Sequence, residues 1–369
     1  WSLSDNGLLV ISGAGPMAEY GSSADVPWDD YRSDIASVRI EYGVTSICCG
    51  AFYNCYYLTN ATIADSVITI GDDAFEFCAN LTNVKIPESV TNIGAGAFYG
   101  CWEFTRIVIP EGVTAIKEWT FAYCNDVEYV SIPNTVVSIG YSAFSGCKNL
   151  TSVEIPDSVT TIDDSAFYGC DDLSRVTIPS SVVKIGDSAF DACKKLTAIN
   201  IDADNPNYAT DDSGVLFNKE QTELIWASDS ISGEYAIPRS VNTIADSAFD
   251  YCSSLTGVRI PSSVNRIGKR AFYDCDGLTD VSIPNSVTRI GEKAFFECGS
   301  LTSVQVGNSV ARIERHAFNN CADLTSVTIP ISVAHIEQGV FNGCVNLTDI
   351  YYAGTEAQWD AISISTYEN

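Results

Sequence analysis

The chain has 369 residues, of which 46% are hydrophobic, and a formal net charge of −27 at pH 7. This hydrophobic content is typical of a folded protein with a substantial core and excludes a disordered chain. The negative charge argues against nucleic acid or an anionic membrane as partner, because both attract positive surfaces. No apolar run is long enough to cross a membrane. The chain begins at Trp1 without an initiator Met or a signal-peptide pattern, so we interpret it as a mature or trimmed fragment.

Residues 1–31 are predicted to form an N-terminal cap. The turn signal Asp5–Gly7 lies between Trp1–Ser4 and Leu8–Ser12 and predicts a β-hairpin. Trp28 is expected to cover the first coil of the array that follows, because an open stack of coils exposes apolar edges. A ligand-stacking role for the aromatic residues of the caps is the alternative interpretation.

A 23-residue repeat, marked by regularly spaced cysteines, dominates the chain from residue 32 to residue 352. The unit reads L-x-x-V-x-I-P-x-S-V-x-x-I-G-x-x-A-F-x-x-C, and residues 150–170 are one copy. The cysteines form two runs of constant spacing, separated by one longer gap, and we call them the cysteine ladder. Its members are Cys55, Cys78, Cys101, Cys124, Cys147, Cys170, Cys193, Cys252, Cys275, Cys298, Cys321 and Cys344.

Each repeat is predicted to form one coil of a solenoid. In the copy at residues 150–170, Val153 and Ile155 alternate with polar residues and predict a short strand. Pro156 ends that strand because proline cannot donate to a sheet ladder. The A-F-x-x-C segment suits a short helical turn. A unit this small cannot bury its own apolar residues, so about fourteen copies are expected to stack around one continuous core.

The gap between the two cysteine runs predicts an insertion in the array. Val215–Asn218 and Thr222–Ala227 form a second predicted hairpin, whose Phe217, Leu224 and Trp226 are expected to pack on a neighbouring coil. A functional protrusion is the alternative. Tyr351, Tyr352 and Trp359 are expected to cover the far end. The predicted organisation is an N-terminal cap (1–31), a repeat array (32–201), a hairpin insertion (202–231), the continued array (232–352) and a C-terminal cap or tail (353–369).

The Leu-x-x-Val-x-Ile core, closed by a Cys in each 23-residue unit, resembles the leucine-rich repeats of the BspA-like, or Treponema pallidum, type. Residues 1–17 resemble the N-terminal cap of such proteins in gut Firmicutes, residues 350–364 resemble their usual C-terminal end, and the insertion resembles a variant unit of the group. The resemblance implies an α/β fold: a right-handed, horseshoe-shaped solenoid with a concave parallel sheet and short helical turns opposite. It also implies a bacterial surface location. Similar proteins are linked to adhesion, including binding of host matrix proteins such as fibronectin.

The cysteines admit three explanations. Structural zinc needs ligands that converge on one point, whereas the ladder cysteines line up along the solenoid axis. Neighbouring ladder cysteines lie within disulfide range, but their parallel side chains and many equivalent partners favour buried free thiols. Cys48 and Cys49 lie outside the ladder, and we expect these two alone to react readily.

The sequence predicts no enzyme and no cofactor. His316 and His335, the only histidines, occupy repeat positions that other copies fill with Ser, Lys or Arg, which indicates the surface rather than a catalytic base. Nucleophile-elbow, phosphate-loop and dinucleotide motifs are absent from the sequence. The paired carboxylates recur at turn positions, as expected of turn-forming residues, and residues 202–214 lack the spacing of a known calcium loop.

The outward positions of the predicted concave sheet form the candidate binding surface. Five basic and four acidic residues occupy these positions, against 15 basic and 43 acidic residues elsewhere, so this face is nearly neutral. Arg and Tyr anchor many protein interfaces, and several gather on the fourth to seventh strands. The predicted ligand-binding residues, which we call the first-sheet patch, are Lys85, Arg106, Val108, Tyr129, Glu154 and Arg175.

These observations favour a monomeric, non-enzymatic recognition module at a bacterial cell surface or outside the cell. Its ligand is predicted to be a protein or glycan, with a host extracellular matrix protein as the partner that the resemblance implies. Neither nucleic acid nor membrane insertion is expected. The alternative function is that of a structural spacer that presents other domains of a longer surface protein.

Overall fold

The computed structural model describes residues 1–20 and 25–365, so parts of the predicted cap (21–24) and tail (366–369) lie outside the described residues. The described chain is a parallel β-solenoid, and a typical coil gives one strand to each of two rows of strands, which we call the first sheet and the second sheet. The hydrogen-bonded pairing within each row is interrupted at several places. The prediction of a leucine-rich-repeat solenoid of about fourteen 23-residue coils is confirmed. Two compact units are present. Unit 1 comprises Trp1–Lys195 and Asp202–Asn205, and unit 2 comprises Leu196–Ile201 and Pro206–Asn369.

Unit 1 contains the N-terminal cap and the first run of coils. Its first-sheet strands are Ser2–Leu3, Leu8–Ile11, Ser37–Ile40, Asn60–Ile63, Asn83–Val84, Arg106–Val108, Tyr129–Ser131, Ser152–Glu154 and Arg175–Ile178. Its second-sheet strands are Gly15–Pro16, Val44–Ile47, Thr69–Ile70, Asn92–Ile93, Ala115–Ile116, Ser138–Ile139, Thr161–Ile162 and Lys184–Ile185. A 3-10 turn spans Asp29–Tyr31.

Unit 2 contains the insertion and the second run of coils. Its first-sheet strands are Asn200–Ile201, Gly233–Ala236, Leu255–Arg259, Asp280–Ser282, Ser303–Gln305, Ser326–Ile329 and Asp349–Tyr352. Its second-sheet strands are Glu223–Trp226, Thr243–Ile244, Arg266–Ile267, Arg289–Ile290, Arg312–Ile313, His335–Ile336 and Ser363–Ile364. Two further strands, Tyr208–Thr210 and Leu216–Asn218, belong to the insertion, and one short α-helix spans Glu356–Trp359.

The register follows the repeat length directly. Ile116 pairs with Ile139, and Ile139 pairs with Ile162, each 23 residues further along the chain. Since a slip by one residue would turn the buried set towards solvent, the alternation of apolar and polar residues holds the register. Equivalent residues of successive coils therefore form straight columns along the stack.

The A-F-x-x-C segments form the third side of each coil, which we call the corner. They adopt single turns, in which the Cys amide donates to the Phe carbonyl three residues earlier, as in Cys55 to Phe52 (3.0 Å). The predicted helical turn does not extend further, because the residue before each Cys and the residue before each Ala have positive φ. Asn54 (φ 56°) and Asp73 (φ 55°) are examples. Left-handed residues at both places end the turn after a single hydrogen bond.

A continuous column of phenylalanines fills the core of each unit. In unit 1, consecutive rings lie 5.0–5.6 Å apart, as measured between ring centroids, and most are stacked nearly parallel. The members are Phe52, Phe75, Phe98, Phe121, Phe144, Phe167 and Phe190. Unit 2 repeats the arrangement with Phe249, Phe272, Phe295, Phe318 and Phe341. These rings bury large apolar areas and supply much of the hydrophobic stabilisation.

The predicted N-terminal hairpin is present, and it covers the first coil. Ser2–Leu3 pairs in antiparallel fashion with Leu8–Ile11, which in turn joins the first sheet in parallel with Ser37–Ile40. Trp28 is buried, stacks on Phe52 at 6.0 Å, and donates from its indole nitrogen to the Ala51 carbonyl at 2.7 Å. Its polar atom is thereby satisfied at the edge of the core, as expected for a cap.

The hairpin of the insertion is an integral part of unit 2 and does not protrude. Leu216–Asn218 pairs with Glu223–Trp226 as a hairpin, and Glu223–Trp226 then starts the second sheet by pairing with Thr243–Ile244. Phe217, Leu224 and Trp226 are buried. Phe217 and Leu224 pack into the unit 2 core.

Two of the three aromatic residues that were predicted to cover the last coil do so. Tyr352 and Trp359 pack against the unit 2 core, with their ring centroids 5.3 Å apart. Thr355 caps the short helix and forms a capping box with Gln358. Tyr351 is 58% exposed, so the prediction that it also covers the end is wrong. It occupies an outward position of the strand, where side chains alternate away from the core.

Candidate ligand-binding surfaces

All six residues of the first-sheet patch are exposed. They occupy two adjacent columns on the outer side of the first sheet, because the side chains of a strand alternate between its two faces. One column contains Arg106, Tyr129 and Arg175 at equivalent positions, and the other contains Lys85, Val108 and Glu154. The structure thus places the predicted residues on one face of unit 1.

Arg106 and Tyr129 form the centre of the first-sheet patch. They are register partners on neighbouring strands, and the Arg106 guanidinium lies 4.8 Å from the centroid of the Tyr129 ring. A cation over an aromatic face at this distance is attracted by the ring quadrupole. The contact holds two long side chains in place before any ligand arrives, which reduces the entropy lost on binding.

The remaining patch residues surround this pair without joining it. Glu154 and Arg175 lie on neighbouring strands, where their register partners are Thr177 and Ser152. Although both are described, no ion pair within 4 Å links them. Val108 is 44% exposed. The patch therefore offers charged groups of both signs beside exposed apolar surface.

A second surface, which the sequence analysis did not single out, lies along the corners of unit 1. Six partly exposed aromatic residues touch edge to face across successive coils, and we call them the aromatic ridge. Its ring centroids lie 5.0–6.1 Å apart with interplanar angles of 68–88°. The members of the ridge are Tyr53, Phe77, Tyr99, Trp119, Tyr123 and Tyr141.

Three rings of the aromatic ridge occupy backbone positions that favour glycine. Phe77, Trp119 and Tyr123 have φ of 56°, 58° and 57°, a conformation that costs an ordinary residue roughly 1–2 kcal/mol. The residues equivalent to Phe77 and Tyr123 in neighbouring coils are Gly100 and Gly146. Aromatic residues at positions that other coils fill with glycine are the sequence signal that could have identified the ridge.

The neighbouring glycines make room for the ridge rings. A Cβ atom on Gly100 would lie 2.8 Å from Cδ1 of Phe77, and one on Gly146 would lie 2.8 Å from Cδ1 of Tyr123. Each ring therefore lies over the bare backbone of the next coil. Aromatic residue and glycine alternate along this column from Phe77 to Gly146.

The surroundings of the aromatic ridge are acidic. Asp72, Asp73, Glu76 and Glu118 lie in the same corner segments, whereas Lys117 is their one basic residue. Burial and the neighbouring Asp73 carboxylate raise the pKa of Glu76 to about 7. Burial, Tyr123 and Glu76 raise the pKa of the Tyr99 hydroxyl.

Two of the corresponding aromatic residues of unit 2 are covered by cations. Arg270 lies 4.1 Å from the ring centroid of Tyr273, and Lys293 lies 5.5 Å from that of Phe296. Arg270 and Lys293 occupy the repeat position of Trp119 in unit 1. Within the described residues, no lysine or arginine stacks in this way on a ring of the unit 1 ridge.

The ladder cysteines are free thiols in the structure, and all are buried except Cys344, which is half-buried. Typical thiols donate to the Phe carbonyl of the preceding coil, as Cys147 does to Phe121 at 3.2 Å. Burial raises the pKa of Cys147 to about 12. The thiol thus meets a backbone acceptor, in addition to filling space beside the phenylalanine column.

The prediction that both cysteines outside the ladder are accessible is wrong for one of them. Cys49 is exposed, but Cys48 is completely buried, and burial raises its pKa to about 11. Cys48 occupies the position of Gly71 in the next coil, directly after the inward-facing Ile47. That position faces the neighbouring coil rather than solvent.

Thiol labelling of the native protein should modify Cys49 first and Cys344 second. Cys49 is exposed, and its accessibility places it first although partial burial raises its pKa. Cys344 is half-buried, and a hydrogen bond from Cys321 lowers its pKa, which favours the reactive thiolate. Maleimide labelling followed by peptide mass spectrometry would measure the order. All fourteen cysteines should react after denaturation, which is the control. Rapid native labelling of Cys147 or Cys48 would contradict this burial pattern.

Asp211, His316 and His335, which the sequence analysis considered as possible metal-binding or catalytic residues, make ordinary structural contacts or face solvent. Asp211 accepts hydrogen bonds from the amides of Ser213 and Val215 and from the Tyr235 hydroxyl at 2.6 Å. His335 is exposed, and His316 contacts Asn319. A search of the described residues for clusters of three or more metal-ligating side chains finds none. None of the described helices has the length and apolar character needed to span a membrane.

Comparison with known proteins decides the family. The model of the BspA-type leucine-rich repeat region matches residues 31–130, 116–213 and 227–354. The chain is a BspA-type leucine-rich repeat protein. Comparison with curated proteins yields no match. This assignment agrees with the resemblance that the 23-residue unit carries.

Solved structures of bacterial leucine-rich repeat proteins are similar to this BspA-type chain. A leucine-rich cell surface protein from Faecalibacterium prausnitzii is 33% identical, with a TM-score of 0.75 over 98% of this chain and 91% of that one. A leucine-rich repeat protein from Eubacterium ventriosum is 28% identical, with a TM-score of 0.56 over 95% and 81% of the two chains. The pneumococcal vaccine antigen PcpA, 17% identical with a TM-score of 0.56 over 100% and 94%, shares the fold.

Proposed function

We propose that this protein is a non-enzymatic recognition module at the cell surface, which binds an extracellular protein through the first-sheet patch. The observation that carries the proposal is the Arg106–Tyr129 pair, preformed at 4.8 Å on an exposed sheet. Such residues dominate the energy of many protein interfaces. The family supports a protein-binding role, and the similarity to a leucine-rich cell surface protein supports the location.

The charges of the patch favour a protein partner. Arg106 and Arg175 offer guanidinium groups, and Glu154 offers a carboxylate, all exposed. Val108 and Tyr129, 44% and 48% exposed, add apolar surface between them. Mixed charges around an apolar centre are the usual anatomy of a protein interface. A host extracellular matrix protein such as fibronectin is the partner class that we propose to test first.

Replacing Arg106, Tyr129 and Arg175 together with alanine should weaken capture of the matrix-protein partner about tenfold or more. The melting temperature should stay nearly unchanged, because all three side chains are exposed. Surface plasmon resonance on immobilised matrix proteins, fibronectin among them, would measure the affinity. The matched control replaces Arg259, Asp280 and Gln305, three exposed first-sheet residues of unit 2, and should bind like the wild type.

Two outcomes would contradict the proposal. Equal binding by the patch variant and the wild type would place the protein interface elsewhere. If the wild type captures none of the matrix proteins, the structural-spacer role, in which the solenoid presents other domains, becomes the better explanation.

A further inference from the structure

We propose that the aromatic ridge of unit 1 is a second binding surface, and that its ligand is an uncharged glycan chain. The ridge lies on the corner side of the coils, whereas the first-sheet patch lies on the first sheet. It extends over several coils from Tyr53 to Tyr141, through edge-to-face contacts between rings. Nothing in the proposed function uses these residues.

The chemistry of the ridge matches the two-sided character of a sugar ring. A pyranose presents C–H groups on its faces, which pack on aromatic rings, and hydroxyl groups on its rim, which need hydrogen-bond partners. Tyr53, Tyr99, Tyr123 and Tyr141 each combine a ring with a hydroxyl, and Trp119 combines a ring with an indole N–H. A purely apolar partner would leave these polar groups without partners.

The spacing of the ridge suits an extended chain ligand. Successive rings lie on successive coils, with centroids 6.1, 5.2 and 5.4 Å apart from Tyr53 through Phe77 and Tyr99 to Tyr123. This separation is comparable with the length of one sugar unit. Because successive rings are turned by 70–88° from one another, a linear polysaccharide laid along the solenoid would meet an aromatic face and an aromatic edge in alternation.

The charge of the surroundings disfavours an anionic ligand. Carboxylates of Asp73, Glu76 and Glu118 lie in the corner segments of the ridge, and they accept hydrogen bonds from hydroxyl groups but repel anions. The chain as a whole carries a net charge of −27. Sulfated or uronic-acid polymers are thus disfavoured at this surface.

Unit 2 shows that the fold does not need an open ridge. There, Arg270 and Lys293 lie over the rings of Tyr273 and Phe296 and occupy the faces that a ligand would use. In unit 1, Trp119 occupies the repeat position that Arg270 and Lys293 occupy in unit 2. The same corner geometry is therefore compatible with rings covered by cations, and within the described residues no lysine or arginine stacks in this way on the unit 1 ridge.

The test compares a ridge variant with a matched unit 2 variant in the full chain. The ridge variant combines Trp119→Ser with Tyr123→Gly. These substitutions introduce the residues that the next coil has at the same two positions, Ser142 and Gly146. The control, Tyr251→Gly, removes an aromatic residue from the position of Tyr123 in a unit 2 coil. Binding is measured by affinity electrophoresis and calorimetry on soluble β-glucan, xylan and galactomannan, with heparin and polygalacturonate as anionic probes.

The wild type and the Tyr251→Gly variant should bind at least one neutral polysaccharide, and the ridge variant should bind it at least tenfold more weakly. If the ridge variant fails to fold, Tyr99→Ser, which copies Ser145 of a nearby coil, provides the same test. The triple variant of the first-sheet patch should keep its glycan binding, so the two surfaces are tested separately. Binding only to the polyanions, binding to none of the polysaccharides, or equal binding by wild type and ridge variant would overturn the proposal.

Discussion

Replacing Phe144 with alanine lowers the free energy of unfolding of unit 1 by about 3–5 kcal/mol. Phe144 is completely buried, and its ring stacks on Phe121 at 5.6 Å and on Phe167 at 5.3 Å. Its removal leaves a cavity that interrupts the phenylalanine column, and the flanking coils cannot close it because their register is held by both sheets. The loss is expected to fall on both neighbouring coil interfaces.

Urea denaturation followed by circular dichroism would measure this loss, and hydrogen exchange would locate it between residues 121 and 167. The matched control is Tyr129→Ala, which removes an aromatic ring of similar size from the surface, where the ring is 48% exposed. The control should change stability by less than about 1 kcal/mol. A similarly small loss for Phe144→Ala would mean that the coils repack around the cavity.

Replacing Arg270 with glutamine lowers the free energy of unfolding by about 1 kcal/mol more at pH 8 than at pH 4, since one pKa unit corresponds to about 1.4 kcal/mol. The Arg270 Nη2 atom lies 2.7 Å from Oδ2 of Asp250, whose side chain is buried. Within the described residues, Oδ1 of Asp250 has no hydrogen-bond partner. Without Arg270, an ionised Asp250 would be a buried charge with no counter-ion.

The pH dependence follows from the direction of the pKa shift. Burial raises the pKa of Asp250 to about 7, although Arg270 lowers it, whereas an unfolded aspartate titrates near about 3.9. The folded state therefore binds the Asp250 proton more tightly than the unfolded state does. The stability that this proton contributes is fully present below about pH 4 and is lost as the pH rises through about 7. Removing Arg270 raises the pKa of Asp250 further and makes this loss larger.

Thermal and urea unfolding of Arg270→Gln between pH 4 and pH 8 would measure the effect. Asp250→Asn removes the titrating group and should flatten the pH dependence. The double variant, with Asp250→Asn and Arg270→Gln, should recover much of the stability lost at pH 8, and the cycle gives the interaction energy of the pair. An equal loss for Arg270→Gln at pH 4 and pH 8 would show that the stacking of Arg270 on Tyr273 matters more than the charge.

The repeat made most of the fold predictable. A residue 23 positions away in sequence is a neighbour in space, so the period itself gives the strand register, as for Ile116 and Ile139. The alternation around Val153 gave the buried side of the strand. The turn signal at Asp5–Gly7 gave the N-terminal hairpin. In each case local sequence and nearest-neighbour contacts were sufficient.

The candidate surfaces were only partly predictable. The outward positions of the first sheet followed from strand alternation, and the exposure of Arg106 and Tyr129 agrees with that reasoning. The aromatic ridge did not follow, because its six rings occupy four different repeat positions of the corner. Tyr99 contacts Phe77 in the preceding coil and Tyr123 in the next one. These contacts join different repeat positions and depend on backbone angles that the repeat pattern does not specify.

The sequence by itself determined the solenoid, its 23-residue period, its caps and its aromatic-and-thiol core, because a repeated apolar pattern can be buried only by stacking copies of itself. Only the tertiary structure decided which irregular residues are hidden and which are presented. Cys48 is buried and Cys49 exposed, although they are adjacent. Tyr273 and Phe296 of unit 2 lie under cations, whereas within the described residues no ring of the unit 1 ridge does. These outcomes depend on side chains from neighbouring coils, which the pattern of one repeat does not contain.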